Sequence, residues 1–416
     1  MHGAPVMAED LFAPGVLDDP YPLYERLRAH GPVHYMPQLG LHLVVRHAQV
    51  LQALDDPGTF SSNLAGILYA GEDGVALMDT GGADSGTAVL AIADPPAHAT
   101  HRRIVQQTFS RGAVGDLRSD IDAILTPRVS ALAAAGGGDW MAAVATPLPV
   151  LMIGRILGLP DTDADRLAAW SDAGVELLGG LADADRMAEL AVEVFAFLTY
   201  LRDHLERAGH TPTGSLTDLL AAARTDGRLT ADEATSMLLQ LVTAGSESTT
   251  SLIGSATLIL ATDADLQERV RHDDALVDAL VEEAVRLESP FRGHFRVATR
   301  DTELGGVHLP KGSRLVLLWG AANRDSAAFD EPDALNLTRP APKGHTSFGR
   351  GIHYCIGAHL ARLEAGLALR ALLAATSHVA LAPEAEPAYV PSMLVRRLTA
   401  LPLTATPKPA PEQTLA

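Results

Sequence analysis

Cysteine is almost absent from this sequence: Cys355 is the only one among 416 residues. A single cysteine excludes an intramolecular disulfide and is typical of proteins from reducing compartments, so we expect a cytoplasmic location. Aromatic residues are also few, at 5% of the chain, whereas hydrophobic residues make up 47%. Because Ala, Leu and Val dominate that fraction, the composition favours a large helical core over a β-sandwich.

Positive charge is scarce as well, with 32 Lys and Arg against 51 Asp and Glu and a formal net charge of −19. Such an acidic surface excludes nucleic acid and anionic membranes as general partners. The first ten residues lack the basic segment and apolar core of a signal peptide. Residues 238–260 come closest to membrane length, but Glu247 and a run of hydroxyl residues interrupt them. We therefore expect a buried helix there and no membrane span.

Local patterns along the chain predict mostly helices with a few short strands. An amphipathic helix is predicted over residues 21–30, and a set of strands with tight turns over 296–320. Residues 62–93 are rich in Gly, Ala and Asp and are predicted to form a long loop with weak helical pieces, while helical patterns fill 97–280. Residues 407–416 are expected to form a flexible tail.

The strongest helix signal begins at Thr230. Thr230 and Glu233 have the spacing of a capping box, and an apolar run follows to about Thr262. The resulting helix of about 30 residues would be about 45 Å long, which is enough to cross the whole domain. A second strong helix is predicted over residues 357–375.

The only cysteine lies in a glycine-rich segment, FGRGIHYCIG (348–357), directly before that last helix. The glycines permit tight turns, and the positive end of the helix with its free N–H groups would stabilise a thiolate. This arrangement suits a metal ligand, although a buried structural thiol or a nucleophile paired with His353 would also explain a lone cysteine. Zinc is not favoured, because no second cysteine is available to complete a common ligand set.

This segment resembles the haem-binding loop of the cytochromes P-450, Phe-Gly-x-Gly-x-His-x-Cys-x-Gly, and matches it at all six fixed positions. The resemblance implies a mainly α fold with small β-sheets (α+β), namely the cytochrome P-450 fold, a triangular helical prism with a long central helix across the haem. It extends over nearly the whole chain and implies a single domain (1–416) with an ordered core over about 18–406. The cofactor would be haem b with an axial thiolate from Cys355, and the matching cofactor-binding residues of the loop would be Phe348, Gly349, His353 and Gly357.

Two further sites resemble parts of the family that bind the haem propionates. The sequence DPPAHATHR contains His98 and Arg102, which are four residues apart and therefore share a helix face. Arg296, in a predicted strand, matches another propionate ligand, and so does His353. The resemblance therefore implies a cationic cluster that binds the two negatively charged propionates.

The middle of the long helix reads AGSEST and resembles the family segment above the iron. The resemblance implies a kinked helix in which Ala244 and Gly245 leave room for dioxygen. Glu247, Ser248 and Thr249 would be catalytic residues that relay protons. The sequence departs from the family at Ser248, because a threonine usually follows the acid. Serine keeps the hydroxyl but lacks the methyl group that restricts its rotamer, so we expect Thr249 to share the role.

A third cluster is expected to be structural. Glu283 and Arg286 have the i,i+3 spacing of a helical ion pair. The resemblance adds Arg339, from the coil before the haem loop, to this pair.

The function implied by the resemblance is that of a haem-thiolate monooxygenase, which inserts one oxygen atom from O2 into a small organic substrate. Thiolate ligation favours the O–O cleavage that this reaction needs. No flavin- or nicotinamide-binding fingerprint is visible, so electrons are expected from a separate ferredoxin and ferredoxin reductase. A local basic patch formed by Arg103, Lys343, Arg350 and Arg362 would receive the ferredoxin. We expect the enzyme to act as a monomer.

Two questions stay open at this point. The same haem would also serve a peroxide-driven peroxygenase, or a non-catalytic haem-thiolate ligand binder or sensor. The substrate is not determined either, since the segments expected to line its pocket are mostly apolar or small. Arg292 and His294 are exceptions, and would contact a polar substrate group, a propionate or solvent.

Overall fold

The computed structural model of the protein describes residues 8–64, 66–72, 74–79, 87–340 and 344–408. Helices dominate this part of the chain, and four small sheets accompany them, which confirms the predicted fold class. The helices are α1 (Pro14–Asp18), α2 (Tyr21–His30), α3 (His47–Asp55), α4 (Ala97–Val105), α5 (Arg111–Asp116), α6 (Arg118–Ala134), α7 (Pro147–Leu157), α8 (Ala164–Leu178), α9 (Ala184–His210), α10 (Leu216–Thr225), α11 (Ala231–Ala261), α12 (Ala264–His272), α13 (Ala275–Glu288), α14 (Trp319–Ala322) and α15 (Ala358–Ala375).

The strands are short and lie mainly near the two ends of the chain. They are β1 (Val33–Met36), β2 (Leu41–Val44), β3 (Phe60–Ser61), β4 (Gly66–Gly71), β5 (Gly74–Asp79), β6 (Gly137–Asp139), β7 (Gly293–Ala298), β8 (Thr302–Leu304), β9 (Val307–Leu309), β10 (Arg314–Leu318), β11 (Thr376–Leu381) and β12 (Pro402–Pro407).

The longest helix, α11, begins where its capping box predicts. Thr230 Oγ1 accepts a hydrogen bond from the Glu233 N–H at 3.1 Å, and the Glu233 carboxylate accepts one from the Thr230 N–H at 2.7 Å. These two bonds satisfy N–H groups that the first helical turn leaves without a partner. The helix continues for 31 residues and packs against α7, α8, α9, α13 and α15, so it is the axis of the helical core.

The main hydrophobic core draws on residues from Val89 to Ala405. It contains the buried faces of α6, α7, α11 and α15 and joins them to the C-terminal sheet. Within the described ranges, no helix combines the length and the apolar character needed to cross a bilayer.

The largest sheet has five strands in the order β1-β2-β10-β7-β3. Strands β2 and β10 are parallel, and the other neighbours in the sheet are antiparallel. The strands predicted over 296–320 are therefore confirmed as β7 to β10. Strand β7 is important for the site because it carries His294 and Arg296.

The loop predicted over residues 62–93 was wrong for residues 66–79, which form an antiparallel hairpin of β4 and β5. Gly66 pairs with Asp79 and Gly71 with Gly74. Leu68 is buried, and the Ala70 N–H donates to the carbonyl oxygen of Ala182 at 2.9 Å. Pairing with a distant segment stabilises the hairpin, and a local Gly- and Ala-rich pattern does not reveal such pairing.

A second correction concerns the helical region predicted over 97–280, which contains the short strand β6. This strand pairs with β12 in the order β11-β12-β6. A Cβ on Gly137 would lie 2.0 Å from the carbonyl oxygen of Leu403, so only glycine permits this close approach. Strand β12 ends at Pro407, and residues 409–416 of the predicted tail lie outside the described residues.

Candidate active site

The Cys355 loop is closed by backbone hydrogen bonds and by two left-handed glycines. The Cys355 N–H donates to the carbonyl oxygen of Phe348 at 2.8 Å. Gly349 and Gly351 have φ angles of 65° and 67°, which a residue with a Cβ rarely adopts. The chain reverses direction in this loop, and Cys355 lies two residues before Gly357, the N-cap of α15.

The sulfur of Cys355 lies in an electropositive environment. The side chain is half-buried, and burial raises the pKa of the thiol. The N–H groups of Gly357 and Ala358, together with the guanidinium groups of Arg102 and Arg362, lower that pKa. A metal bound at the sulfur would add to this stabilisation, because it binds the thiolate and not the thiol.

Four cationic or potentially cationic side chains gather beside the loop: His98 and Arg102 from α4, Arg296 from β7, and His353. The His98 and His353 rings have centroids 4.2 Å apart. His98 and Arg296 are buried. Burial, followed by repulsion from His98 and Arg296, lowers the pKa of His353 to about 3. A bound anion would offset this repulsion, raise the pKa of both rings and stabilise the guanidinium groups of Arg102 and Arg296.

A buried nitrogen in this cluster supports the same conclusion. His353 Nε2 is buried and has no hydrogen-bond partner among the described residues. A buried ring nitrogen without a partner is costly, so its presence indicates a ligand. A thiolate-forming cysteine beside a cluster that needs negative charge fits a haem, which has an iron atom and two carboxylates.

His294 positions the guanidinium group of Arg296. Arg296 donates to His294 Nδ1 at 3.0 Å and to the carbonyl oxygen of Phe295 at 2.7 Å. Burial, and then the Arg296 charge, lowers the pKa of His294 to about 4, so the ring is neutral and accepts at Nδ1. The His294 ring also lies 6.0 Å from the Trp319 ring in a stacked arrangement.

Arg292 does not contact a site ligand or solvent, which were the alternatives that the sequence left open. Its guanidinium group is buried and donates to the carbonyl oxygens of Val16, Leu17 and Val395. Arg292 thus fastens the N-terminal helix α1 to the C-terminal segment.

The back of the cysteine loop rests on a buried ion cluster. Arg362 stacks over the Phe348 ring, with 4.3 Å from guanidinium carbon to ring centroid, and is paired with Glu282. His345 Nε2 lies 3.0 Å from the same carboxylate. Burial raises the pKa of Glu282, but the hydrogen bonds from His345 and Arg362 lower it to about 2. Arg362 is therefore largely buried and is not a free surface cation of the predicted basic patch.

The structural trio predicted from the sequence is also present. Arg286 Nε lies 2.8 Å and Arg339 Nε 3.0 Å from the same oxygen of Glu283. All three side chains are buried, and the guanidinium groups also donate to backbone carbonyls of the coil over residues 323–334. The trio thus fixes the coil that leads to the cysteine loop.

Helix α11 runs without a break through the AGSEST segment. Ala244 is exposed midway along α11, and the partly buried Ser248, one turn later, lies on the same face. The Ser248 hydroxyl donates to the Ala244 carbonyl oxygen at 2.8 Å, a contact that can bend a helix. A Cβ on Gly245 would lie 3.3 Å from Ile153, so the glycine permits close packing against α7. Thr249 is buried on another face.

Glu247 forms a network that the sequence did not reveal. Its carboxylate accepts a hydrogen bond from Arg397 Nε at 2.8 Å, and Arg397 also donates to Asp172 of α8 at 3.0 Å. Burial raises the pKa of Glu247 to about 7, although the nearby Arg397 charge lowers it. A carboxyl group with this pKa can both hold and release a proton near neutral pH. Arg397 and Asp172 have no motif of their own, so only folding could identify them.

Comparisons with known proteins agree with this geometry. A family model described as Cytochrome P450 matches residues 186–387. The chain is 40% identical over 400 residues to "Cytochrome P450 144" of Mycobacterium tuberculosis, which covers 95% of this chain and 91% of the relative. It is 36% identical to "Cyclomarin C epoxidase CymV" of Salinispora arenicola, with coverage of 83% and 86%.

Among solved structures, cytochrome P450 CREJ in complex with (4-ethylphenyl) dihydrogen phosphate superposes with a TM-score of 0.86 at 28% identity, covering 93% of this chain and 97% of that one. The predicted cytochrome P-450 fold is therefore confirmed. With a relative 40% identical over nearly its whole length, the chain belongs to the cytochrome P450 family of haem-thiolate monooxygenases.

Proposed function

We propose that this enzyme inserts one oxygen atom from O2 into a small organic substrate, with haem b as its cofactor and Cys355 as the axial ligand. The observation that carries the proposal is the juxtaposition of the Cys355 sulfur with the cationic cluster. The sulfur faces the N–H groups of Gly357 and Ala358, and the cluster contains a partnerless nitrogen on His353.

In this proposal Cys355 would bind the iron, and His98, Arg102, Arg296 and His353 would bind the two propionates. Bound haem-thiolate iron supplies the activation of O2 with two external electrons. Phe348, Gly349 and Gly357 would shape the loop that holds the cofactor. Charge-assisted bonds from the cluster would hold the anionic edge of the cofactor in a fixed orientation.

Proton delivery is assigned to Glu247, Ser248 and Thr249. Glu247 holds a proton near neutral pH because its pKa is raised to about 7. Ser248 lies on the exposed face of α11 with Ala244, so its hydroxyl can rotate away from the Ala244 carbonyl and pass a proton onward. Thr249 is buried and does not share that face, so Ser248 is favoured over Thr249 as the residue that passes the proton. Gly245 would contribute by letting α11 approach α7 closely.

Electrons would come from a ferredoxin and its reductase in the cytoplasm. Arg103 and Arg350 are exposed, and Arg350 Nε lies 2.8 Å from Asp55. These two arginines support docking of an acidic protein, whereas Lys343 lies outside the described residues. A charge-reversal test of docking should therefore use Arg103 and Arg350, because reversal of Arg362 would disrupt its buried pair with Glu282.

The substrate is proposed to be small and mainly apolar. One relative is named a cyclomarin C epoxidase and one solved structure holds (4-ethylphenyl) dihydrogen phosphate, so the ligands named for the relatives do not define the polarity of this substrate. Of the two polar candidates in this chain, Arg292 is engaged with backbone carbonyls. His294 is engaged with Arg296. Neither side chain therefore supports recognition of a charged substrate group.

The absorbance spectrum of the reduced, carbon-monoxide-bound protein tests the proposal. We expect a strongly red-shifted Soret band, which Cys355→His abolishes while His308→Ala, a change in an exposed strand residue, preserves it. Absence of porphyrin from the purified protein, or a red-shifted band in Cys355→Ala, would overturn the assignment. Turnover with ferredoxin, its reductase and NADPH, compared with turnover on hydrogen peroxide alone, separates the monooxygenase from the peroxygenase.

A further inference from the structure

Residues 87–93, here called the wall segment, are attached to two helices by side-chain acceptors. The Leu90 N–H donates to His101 Nδ1 of α4 at 3.4 Å. The Ala91 N–H donates to Gln240 Oε1 of α11 at 3.2 Å. Leu90 has a φ of 42°, in the left-handed region that a leucine seldom occupies. These two hydrogen bonds therefore hold a backbone conformation that the sequence alone would not favour.

The wall segment contacts the two helices that carry proposed site residues, α4 and α11. Gln240 lies four residues before Ala244 on α11, so the two residues share the helix face that also carries Ser248. At its other end the segment leads through Asp94 into α4, which carries His98. Val89 is buried in the main core, whereas Leu90 and Ile92 are only partly buried. The segment is thus attached to α4 and α11 through its backbone N–H groups, and the partly buried Leu90 side chain packs against the main core.

The ring of His101 has a defined arrangement of partners. The side chain is buried, Nδ1 faces the Leu90 N–H, and Nε2 lies 3.6 Å from Glu233 Oε1. The proton of the neutral ring must therefore sit on Nε2. The charged or titratable groups that act on this ring are Glu233 of α11 and His98 on its own helix.

We propose that His101 and Gln240 are positioning residues that hold the wall segment against α11, and that protonation of His101 releases the segment and opens the pocket to ligands. This inference depends on the proposed function in one respect, namely that the pocket is the one that binds haem. Protonation at Nδ1 replaces an acceptor with a donor that faces the Leu90 N–H, so the bond is lost. The new imidazolium is stabilised by Glu233, which favours the released state.

The direction of the pH effect follows from burial. Burial lowers the pKa of His101 below its ordinary value of 6.5, while Glu233 opposes that shift. The ring is neutral at pH 7.5 and the wall segment is held. Because the pKa is lowered, the released state becomes populated only when the pH falls below the ordinary histidine value of 6.5.

Hydrogen–deuterium exchange of the ferric holoenzyme between pH 5 and 8 tests the release directly. After correction for intrinsic exchange, protection of the Leu90 amide should fall about three- to tenfold from pH 7.5 to pH 5.5. His101→Asn keeps an acceptor oxygen in place of Nδ1 but cannot titrate, so its protection should not depend on pH. His101→Leu should be poorly protected at every pH. His204→Asn, at a histidine that contacts the Leu157 carbonyl elsewhere, is the matched control and should resemble the wild type.

Carbon monoxide, a neutral probe, tests the consequence for the pocket. Rebinding to the reduced protein after flash photolysis should be about threefold faster at pH 5.5 than at pH 7.5 in the wild type, and independent of pH in His101→Asn. An identical pH dependence of Leu90 exchange in the wild type and His101→Asn would overturn the proposal. Exchange of the Leu90 amide reports its hydrogen bond to His101 and not the chemistry of the cofactor, so it distinguishes failure of this proposal from failure of the proposed function.

Discussion

Glu247 and Arg397 are 150 residues apart in sequence, yet Arg397 Nε donates to the Glu247 carboxylate at 2.8 Å in the centre of the fold. Arg397 also reaches Asp172, so one guanidinium group joins α11, α8 and the C-terminal segment. Because the Glu247 carboxyl is buried, this single cation has a large influence on its proton affinity. Four of the predictions below concern buried carboxyl groups of this kind.

Glu247→Gln should lower turnover by about 100-fold, because an amide cannot hold and release the proton that the carboxyl provides. Asp172→Asn is the matched control, since it changes the other carboxylate on Arg397, which is more exposed. That control should lose less than about threefold. The measurement is the rate of substrate oxidation per haem, together with hydrogen peroxide released. Equal losses in the two variants would show that the network, and not the Glu247 proton, matters.

Arg397→Ala should shift the pH dependence of turnover. The Arg397 charge lowers the pKa of Glu247, so its removal raises that pKa above about 7. Glu247 then stays protonated to higher pH, and the basic limb of the pH–rate profile should move up by about one unit. Arg397→Lys keeps the charge and should move it less. A lower maximum rate with no shift of the pH–rate profile along the pH axis would contradict the assignment of Glu247 as the titrating group.

His353→Ala should weaken the retention of haem, because one of the four proposed propionate contacts is removed. We expect the rate of haem transfer to apomyoglobin to rise by about tenfold. His308→Ala, at an exposed residue of strand β9, should leave the rate unchanged. Unaltered transfer from His353→Ala would mean that its partnerless Nε2 serves another ligand.

Glu283→Gln should destabilise the protein by about 3–5 kcal/mol, because two buried guanidinium groups would lose their shared counter-charge. Asp161→Asn breaks an exposed pair with Arg155 and should cost less than about 1 kcal/mol. Urea unfolding of the two variants checks the contrast. Similar losses would show that solvent screens the Glu283 trio more than its burial implies.

Glu364 should make stability decline with increasing pH. Burial raises its pKa from an ordinary 4.5 to about 8, and among the described residues its Oε2 has no hydrogen-bond partner. A carboxyl with a raised pKa stabilises the folded state at low pH, and that contribution is lost as the pH rises from about 4.5 through about 8. Glu364→Gln should therefore be more stable than the wild type at pH 9 by about 2–4 kcal/mol, relative to pH 5.

Urea unfolding at pH 5 and pH 9 measures this difference. Glu268→Gln, on the exposed face of α12, is the control and should leave the pH dependence unaltered. If the free energy of unfolding fell by the same amount between pH 5 and pH 9 in the wild type and in Glu364→Gln, the pKa of the buried carboxyl would not be raised, and the prediction would be wrong.

The sequence by itself determined the parts of the protein whose causes lie within about ten residues. The capping box at Thr230 defined the start of α11, and the glycines around Cys355 defined a loop that places a sulfur at a helix N-terminus. Hydrophobic periodicity and turn-forming residues are local features of the sequence, so they can be interpreted without knowledge of the rest of the fold. They identified the family motifs and the helix that carries Glu247.

The tertiary structure alone decided which distant groups meet. The hairpin at 66–79 is attached to Ala182 by a backbone hydrogen bond from Ala70. The sequence around these two alanines contains no pattern that predicts this contact. Arg292 was a candidate for ligand recognition until its carbonyl partners at Val16 and Val395 were known. Likewise the proton affinity of Glu247 depends on Arg397, because the energy of a buried charge is determined by what surrounds it in space. That surrounding is created only when segments far apart in the chain pack together.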